Sequence, residues 1–166
     1  MPIRDILLLG DPRLYERSEE ANRNAGDELL KVVDDLRDTL MDFRSCHGYG
    51  RAIAAPQIGE MKRLIYLHIN EPMIIFNPTL SELSDPTVEL WDNCLSFPGL
   101  LVKVRRHQTC ALHYFDRDWH EVTRRLDGDL SELIQHECDH LDGILAPMRA
   151  IDSRSFAISR QPSQPD

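Results

Sequence analysis

Between positions 27 and 43 the apolar residues Leu29, Val33, Leu36 and Leu40 recur three and four apart, with Val32 and Phe43 beside them, which predicts an amphipathic helix. An extended start with a turn at Gly10, Asp11 and Pro12 precedes it. The stretch CHGYGRAIAAPQIG follows, where Gly48, Gly50, Gly59 and Pro56 predict a loop with unusual backbone angles. From 62 to 125 the pattern shifts to short strands, RLIYLHI, MIIF, VELWDNCLSF, LVKVR and the alternating TCALHYF, separated by proline, aspartate and serine. A second helix begins near Asp127 or Asp129, either of which could cap it, runs through LSELIQHECDHLD and stops at Gly143. After Ala150 the chain turns polar and ends QPSQPD, too poor in apolar groups to pack, so 161–166 are expected to fray. Helix, then strands, then helix predicts an α+β fold: a single domain over 1–150, with short antiparallel or mixed sheets around the C-terminal helix, and a polar tail over 151–166.

The chain has 166 residues, 42% hydrophobic and 28% charged. That is enough for one core that buries about 70% of the unfolded surface. The 19 basic residues against 28 acidic ones leave a formal charge of -9, which repels a phosphate backbone, so direct nucleic-acid binding is not expected. Apolar runs such as 6–9 and 73–76 fall short of the roughly 18 residues that cross a bilayer, and Asp5 interrupts the N-terminal run. Neither a membrane span nor a secretory leader is expected, and the reading is a cytoplasmic protein. Its four cysteines, Cys46, Cys94, Cys110 and Cys138, are then reduced.

In HECDH, His136 and His140 stand four apart, about 6 Å of axial rise on a helix, and can aim two imidazoles at one ion with Glu137 beside them. Ordinary surface or core histidines share this spacing, so the motif alone does not establish a metal. A third protein ligand is needed, and the cysteines, His47, His68, His107, His113 and His120 all qualify by residue type. Spacing does not choose among them. Cys138 falls on the helix face of Leu130, Ile134 and Leu141 and reads as packing, as do Cys46 and Cys110.

Taken together, WDNCLSFPG, GRAIAAPQIG and QHECDH resemble the three-motif signature of the peptide deformylase family, in the same order and at similar separations. The similarity runs from about position 3 to position 150. It implies that Cys94, His136 and His140 hold one divalent metal ion, ferrous iron in most members, with zinc, nickel or cobalt able to replace it. Three protein ligands and one open position describe a catalytic site, where the cation lowers the pKa of water towards neutrality. By the same resemblance Glu137 accepts the proton of that water and hands it to the leaving amine, while the side-chain amide of Gln57 and the N–H of Leu95 donate to the developing oxyanion. The implied activity is hydrolytic removal of the N-formyl group from formyl-methionyl nascent peptides at the ribosome, or from a related formylated small molecule.

The chain departs from the family pattern in several places. Where the first motif usually carries a second glycine stands Ala52, and where the second motif usually begins Glu-Gly stand Asp92 and Asn93. The family's glutamate pairs with an arginine about fourteen residues on, so Asp92 is expected to pair with Arg106. After Pro98 come Gly99, Leu100, Leu101 and Val102, where many members carry an arginine. The resemblance places the substrate side-chain pocket at Arg51, Leu90, Asp129, Glu132 and Leu133, several of them charged where the family is apolar. Formyl-methionine is then not expected to be strongly preferred, although an ion pair between Arg51 and Asp129 or Glu132 weakens that expectation. Two other readings compete: a deformylase-like metal-binding protein with altered or lost activity, and a zinc-type endopeptidase. The endopeptidase is disfavoured because no histidine or glutamate follows His140 to serve as a downstream ligand.

Overall fold

The computed structural model describes residues 3–159. Its elements run α1 (Gly26–His47), β1 (Ala52–Ala54), β2 (Leu64–His68), β3 (Pro72–Ser81), β4 (Thr87–Asp92), β5 (Leu100–His107), β6 (Thr109–Phe115), β7 (Glu121–Asp127), α2 (Gly128–Leu141) and β8 (Phe156–Ile158), with short 3-10 turns between them. Five strands form one sheet in the order β1-β2-β3-β6-β7 and three form another in the order β4-β5-β8. Every ladder between these strands is antiparallel. No described helix is long and apolar enough to cross a membrane.

The larger sheet is packed on both faces, and the period-two alternation of β2 explains how. Leu64 and Tyr66 join Leu29, Leu36, Leu40 and Phe43 of α1 in one core, whereas Ile65 and Leu67 join Leu133, Ile134, Cys138 and Leu141 of α2 in another. A third cluster, Phe97, Val102, Val104 and Ala146 around Cys94, lies under the smaller sheet. The functional helix is thereby buried between two sheets.

Local chemistry sets the joints. Helix α1 stops at Gly48, whose φ of 78° lets its N–H reach the carbonyl of Arg44. After α2, Gly143 has φ 72°, and a Cβ there would lie 2.5 Å from the carbonyl oxygen of Tyr15. Asn77 sits at a β3 bulge with φ 49° and clasps the backbone of Ala21 through both side-chain atoms.

Several sequence expectations need correction. The first helix runs past position 43 to His47, whose ring stacks on Phe43 at 4.0 Å. The stretch VELWDNCLSF is a strand only to Asp92 and then turns, because Ser96 and Phe97 direct their N–H groups back at the Sγ and carbonyl of Cys94. Residues 52–54, expected in a loop, pair with β2 as an edge strand, so Ala52 is extended and needs no positive φ. Strand β7 was not anticipated, since only Val122 and Leu126 interrupt its polar run, yet it pairs along β6 through seven residues. The polar tail is not all tail: Phe156–Ile158 pair with β5, while 161–166 lie outside the described residues. Asp127, not Asp129, is the N-cap residue of α2, and its side chain makes no capping bond. Cys110 and Cys138 pack in the core as expected, but Cys46 is exposed, and all four cysteines are free.

Candidate active site

Three elements converge at one point. Helix α2 carries His136, Glu137 and His140 on turns facing the smaller sheet, the turn after β4 carries Cys94, and the 3-10 turn Ala55–Ile58 carries Gln57. Cys94, His136, Glu137, His140 and Gln57 are all buried. The Sγ of Cys94 lies 3.2 Å from Nε2 of His140, which lies 3.2 Å from Nε2 of His136.

This donor set fits a metal ion. Around a tetrahedral ion with bonds of about 2.0–2.3 Å, neighbouring nitrogen and sulfur ligands stand about 3.3–3.6 Å apart, close to the separations seen here. Nδ1 of His136 donates to Oδ2 of Asp92 at 2.9 Å, which leaves Nε2 with its lone pair towards Cys94 and His140. A thiol and two imidazoles, closely spaced and screened from water, are the ligand chemistry of zinc- and iron-type sites.

Asp92 anchors a buried chain of charges. Its Oδ2 also accepts from Arg106 at 2.7 Å; Arg106 donates onward to Asp139 at 2.9 Å, and Arg149 grips both oxygens of Asp139. Burial alone would raise the Asp92 carboxyl, but His136 and Arg106 hold it well below the ordinary carboxylate range. The expected Asp92–Arg106 pair is present despite the shorter side chain, whereas the extension to Asp139 and Arg149 was not anticipated. The signal for Asp139 was its place three residues after His136, on the same side of the helix.

Gln57 is fixed in orientation. Its Oε1 accepts the N–H of Ala54 at 2.9 Å, so Nε2 must face the other way, where it lies 3.1 Å from Ser96 Oγ and 3.5 Å from Cys94 Sγ. Leu95 buries its side chain in the α1 core. Among the described residues, none of the turn's hydrogen bonds uses the Leu95 N–H. Glu137 has one buried oxygen, Oε2, without a hydrogen-bond partner, and burial pushes its carboxyl up to about 7.

A cavity of about 730 Å³ opens beside this cluster, and all five pocket candidates, Arg51, Leu90, Asp129, Glu132 and Leu133, line it. Arg51 and Glu132 are not free charges: Nη2 of Arg51 lies 2.7 Å from Oε1 of Glu132. Asp129 is exposed at the rim. In the stretch after Pro98, Leu100 pairs with Ile158 in the smaller sheet.

The family model for polypeptide deformylase matches residues 3–155. The chain belongs to the polypeptide deformylase family. It is 32% identical to peptide deformylase 1 of Prochlorococcus marinus, an alignment that spans 96% of this chain and 86% of the relative. The solved peptide deformylase of Synechococcus elongatus in complex with actinonin superposes with a TM-score of 0.84 at 29% identity, over 92% of this chain and 81% of that one. An Acinetobacter baumannii peptide deformylase with Met-Ala-Ser bound superposes with a TM-score of 0.81 at 25% identity, over 89% of this chain and 98% of that one. As in those deformylases, the fold is a single α+β unit, and as a family member this chain is a metal-dependent hydrolase that removes N-formyl groups from nascent peptides.

Proposed function

We propose that Cys94, His136 and His140 hold one divalent ion, ferrous iron by preference over zinc, nickel or cobalt, and that Glu137, Gln57 and Leu95 carry the hydrolysis of the formyl amide. The observation that supports this most is the convergence of one thiol and two imidazoles, 3.2 Å apart in sequence around the cluster, beside a buried carboxyl with an unused oxygen. When bound, a divalent ion supplies a Lewis acid that lowers the pKa of water towards neutrality. Glu137 then takes the proton of the attacking water and returns it to the amine as the formyl C–N bond breaks. Gln57 Nε2, held in direction by Ala54, and the N–H of Leu95 donate to the oxygen that gains negative charge. Asp92, anchored by Arg106, keeps the His136 ring in place.

The peptide seen in the Acinetobacter relative supports peptides as the substrate class here. Nascent chains at the ribosome, in the cytoplasm, are the proposed source of that substrate. A reading in which catalysis has been lost finds less support, because a purely structural metal site needs neither Glu137 nor Gln57. The test is formate release from N-formyl peptides by protein loaded anaerobically with iron. Release that depends on the metal is expected, and a fully loaded protein that frees no formate overturns the assignment.

A further inference from the structure

A second cavity, of about 490 Å³, lies behind the buried charge chain. Asp92 lines the catalytic cavity and Arg106 lines this one, so the pair that steadies His136 stands between the two. Around the second cavity are Arg17, Arg63, Arg105, Arg106 and Arg149, brought together from the segment before α1, the approach to β2, strand β5 and the turn after α2. Among the described residues, the carboxylates on its wall are those of Asp139 and Asp142. Two more stand behind the wall: Asp92 accepts from Arg106, and Glu89 pairs with Arg105 and Lys103. With these included the guanidiniums are still in excess, a local reversal of sign in a chain whose formal charge is -9. The N–H groups are even further from being used. A guanidinium carries five of them and no acceptor. Arg63 spends only Nη1, on Asp142 and the Leu141 carbonyl, and Arg17 comes no nearer to Asp142 than 3.9 Å. Arg106 is the most telling: it is 3% exposed, Asp139 and Asp92 take its Nη1 and Nη2, and its Nε has no partner. A buried donor in that condition calls for an acceptor.

We propose that this second cavity is a binding site for a phosphate group, separate from the catalytic cavity. The arginines approach from several elements, so the ligand must offer oxygens in more than one plane. A tetrahedral dianion does so, whereas a planar carboxylate meets one or two guanidinium forks. Its oxygens take the unused N–H groups of Arg17, Arg63 and Arg106. Pro78, Leu80 and Leu83 complete the wall, and the space admits the carbon skeleton of a small phosphate ester as well as the free ion.

The experiment titrates the metal-loaded protein by calorimetry with inorganic phosphate and with glycerol 3-phosphate, using chloride at the same ionic strength as the blank. Saturable binding of one equivalent is expected for at least one of the two, and none for chloride. Tighter binding of the ester assigns the site to a phosphorylated small molecule, and tighter binding of the free ion assigns it to phosphate itself. Arg17→Gln and Arg63→Gln are each expected to weaken binding about tenfold, the size of one charge-assisted hydrogen bond. Arg17 is the safer variant, since its side chain is 80% exposed and an unchanged melting temperature without phosphate shows that the fold is kept. Two controls address the catalytic cavity: Arg51→Gln, and saturation with Met-Ala-Ser, the peptide bound in the Acinetobacter relative. Neither is expected to move the phosphate affinity. Absence of saturable binding, affinity untouched by both Arg17→Gln and Arg63→Gln, or displacement by the tripeptide overturns the proposal. Each of these outcomes leaves the hydrolytic reading standing, because formate release tests that separately.

Discussion

Nδ1 of His136 donates to Oδ2 of Asp92 across 2.9 Å, and both groups are buried. That contact sets the tautomer and tilt of the His136 ring, a proposed metal ligand, and Arg106 sets the contact in turn. Replacing Asp92 with Ala is expected to weaken metal affinity about 10- to 100-fold, and Asp92→Glu to restore most of it. Chelator competition measures both, and an unchanged affinity in Asp92→Ala would mean that the ring is positioned by other contacts.

Cys94→Ala and His136→Ala are each expected to abolish metal retention, because two remaining ligands cannot hold the ion against solvent. Elemental analysis of purified protein reads this directly. One equivalent of metal in either variant would remove that residue from the ligand set.

Glu137→Gln preserves the shape of the side chain and removes its ability to accept a proton. The variant is expected to bind metal as tightly as the parent and to lose turnover by about 100-fold or more. Formate release near the parental rate would require a different base.

Gln57→Ala removes a donor whose direction Ala54 enforces. The expected loss is about 100- to 1000-fold in kcat with a smaller change in KM, as for other oxyanion donors. A change confined to KM would show that Gln57 binds the ground state instead.

Gly143→Ala should lower stability by about 2 kcal/mol or more, since left-handed backbone and overpacking each carry a cost. The new Cβ would meet the Tyr15 carbonyl at 2.5 Å. Urea unfolding is expected to show an earlier midpoint at an unchanged slope, and an unchanged midpoint would mean that the loop at Tyr15 yields freely.

How much of this was legible in the sequence depended on whether the information was local. The period of Leu29, Leu36 and Leu40, and the His136–His140 spacing on a helix that stops at Gly143, announce themselves over a dozen residues. Strand β7 did not, because its pairing with β6 leaves most of its side chains in solvent and so asks for no apolar alternation. Ala52–Ala54 reads as loop for the opposite reason: one isoleucine between two alanines, all buried and flanked by glycine and proline, is too short a run to show period-two alternation, and only the ladder with β2 fixes them. In the site, the resemblance supplied Cys94, Gln57 and the Asp92–Arg106 pair. The bond between Arg51 and Glu132 joins positions 81 residues apart, and the sequence could raise it only as a condition. Arg149 on Asp139 lay beyond it, because that contact requires the turn after α2 to fold back.

Cys94 belongs to the turn under the smaller sheet, while His136 and His140 ride on the helix packed against the larger one. An ion held by all three therefore acts as a cross-link between two otherwise separately cored halves, closing a loop from position 94 to position 136. Heat resistance and active-site occupancy would then be linked: by mass action the melting temperature is expected to rise with free metal concentration, beyond what the Asp92–His136 and Arg106–Asp139 bonds already supply between the smaller sheet and the helix.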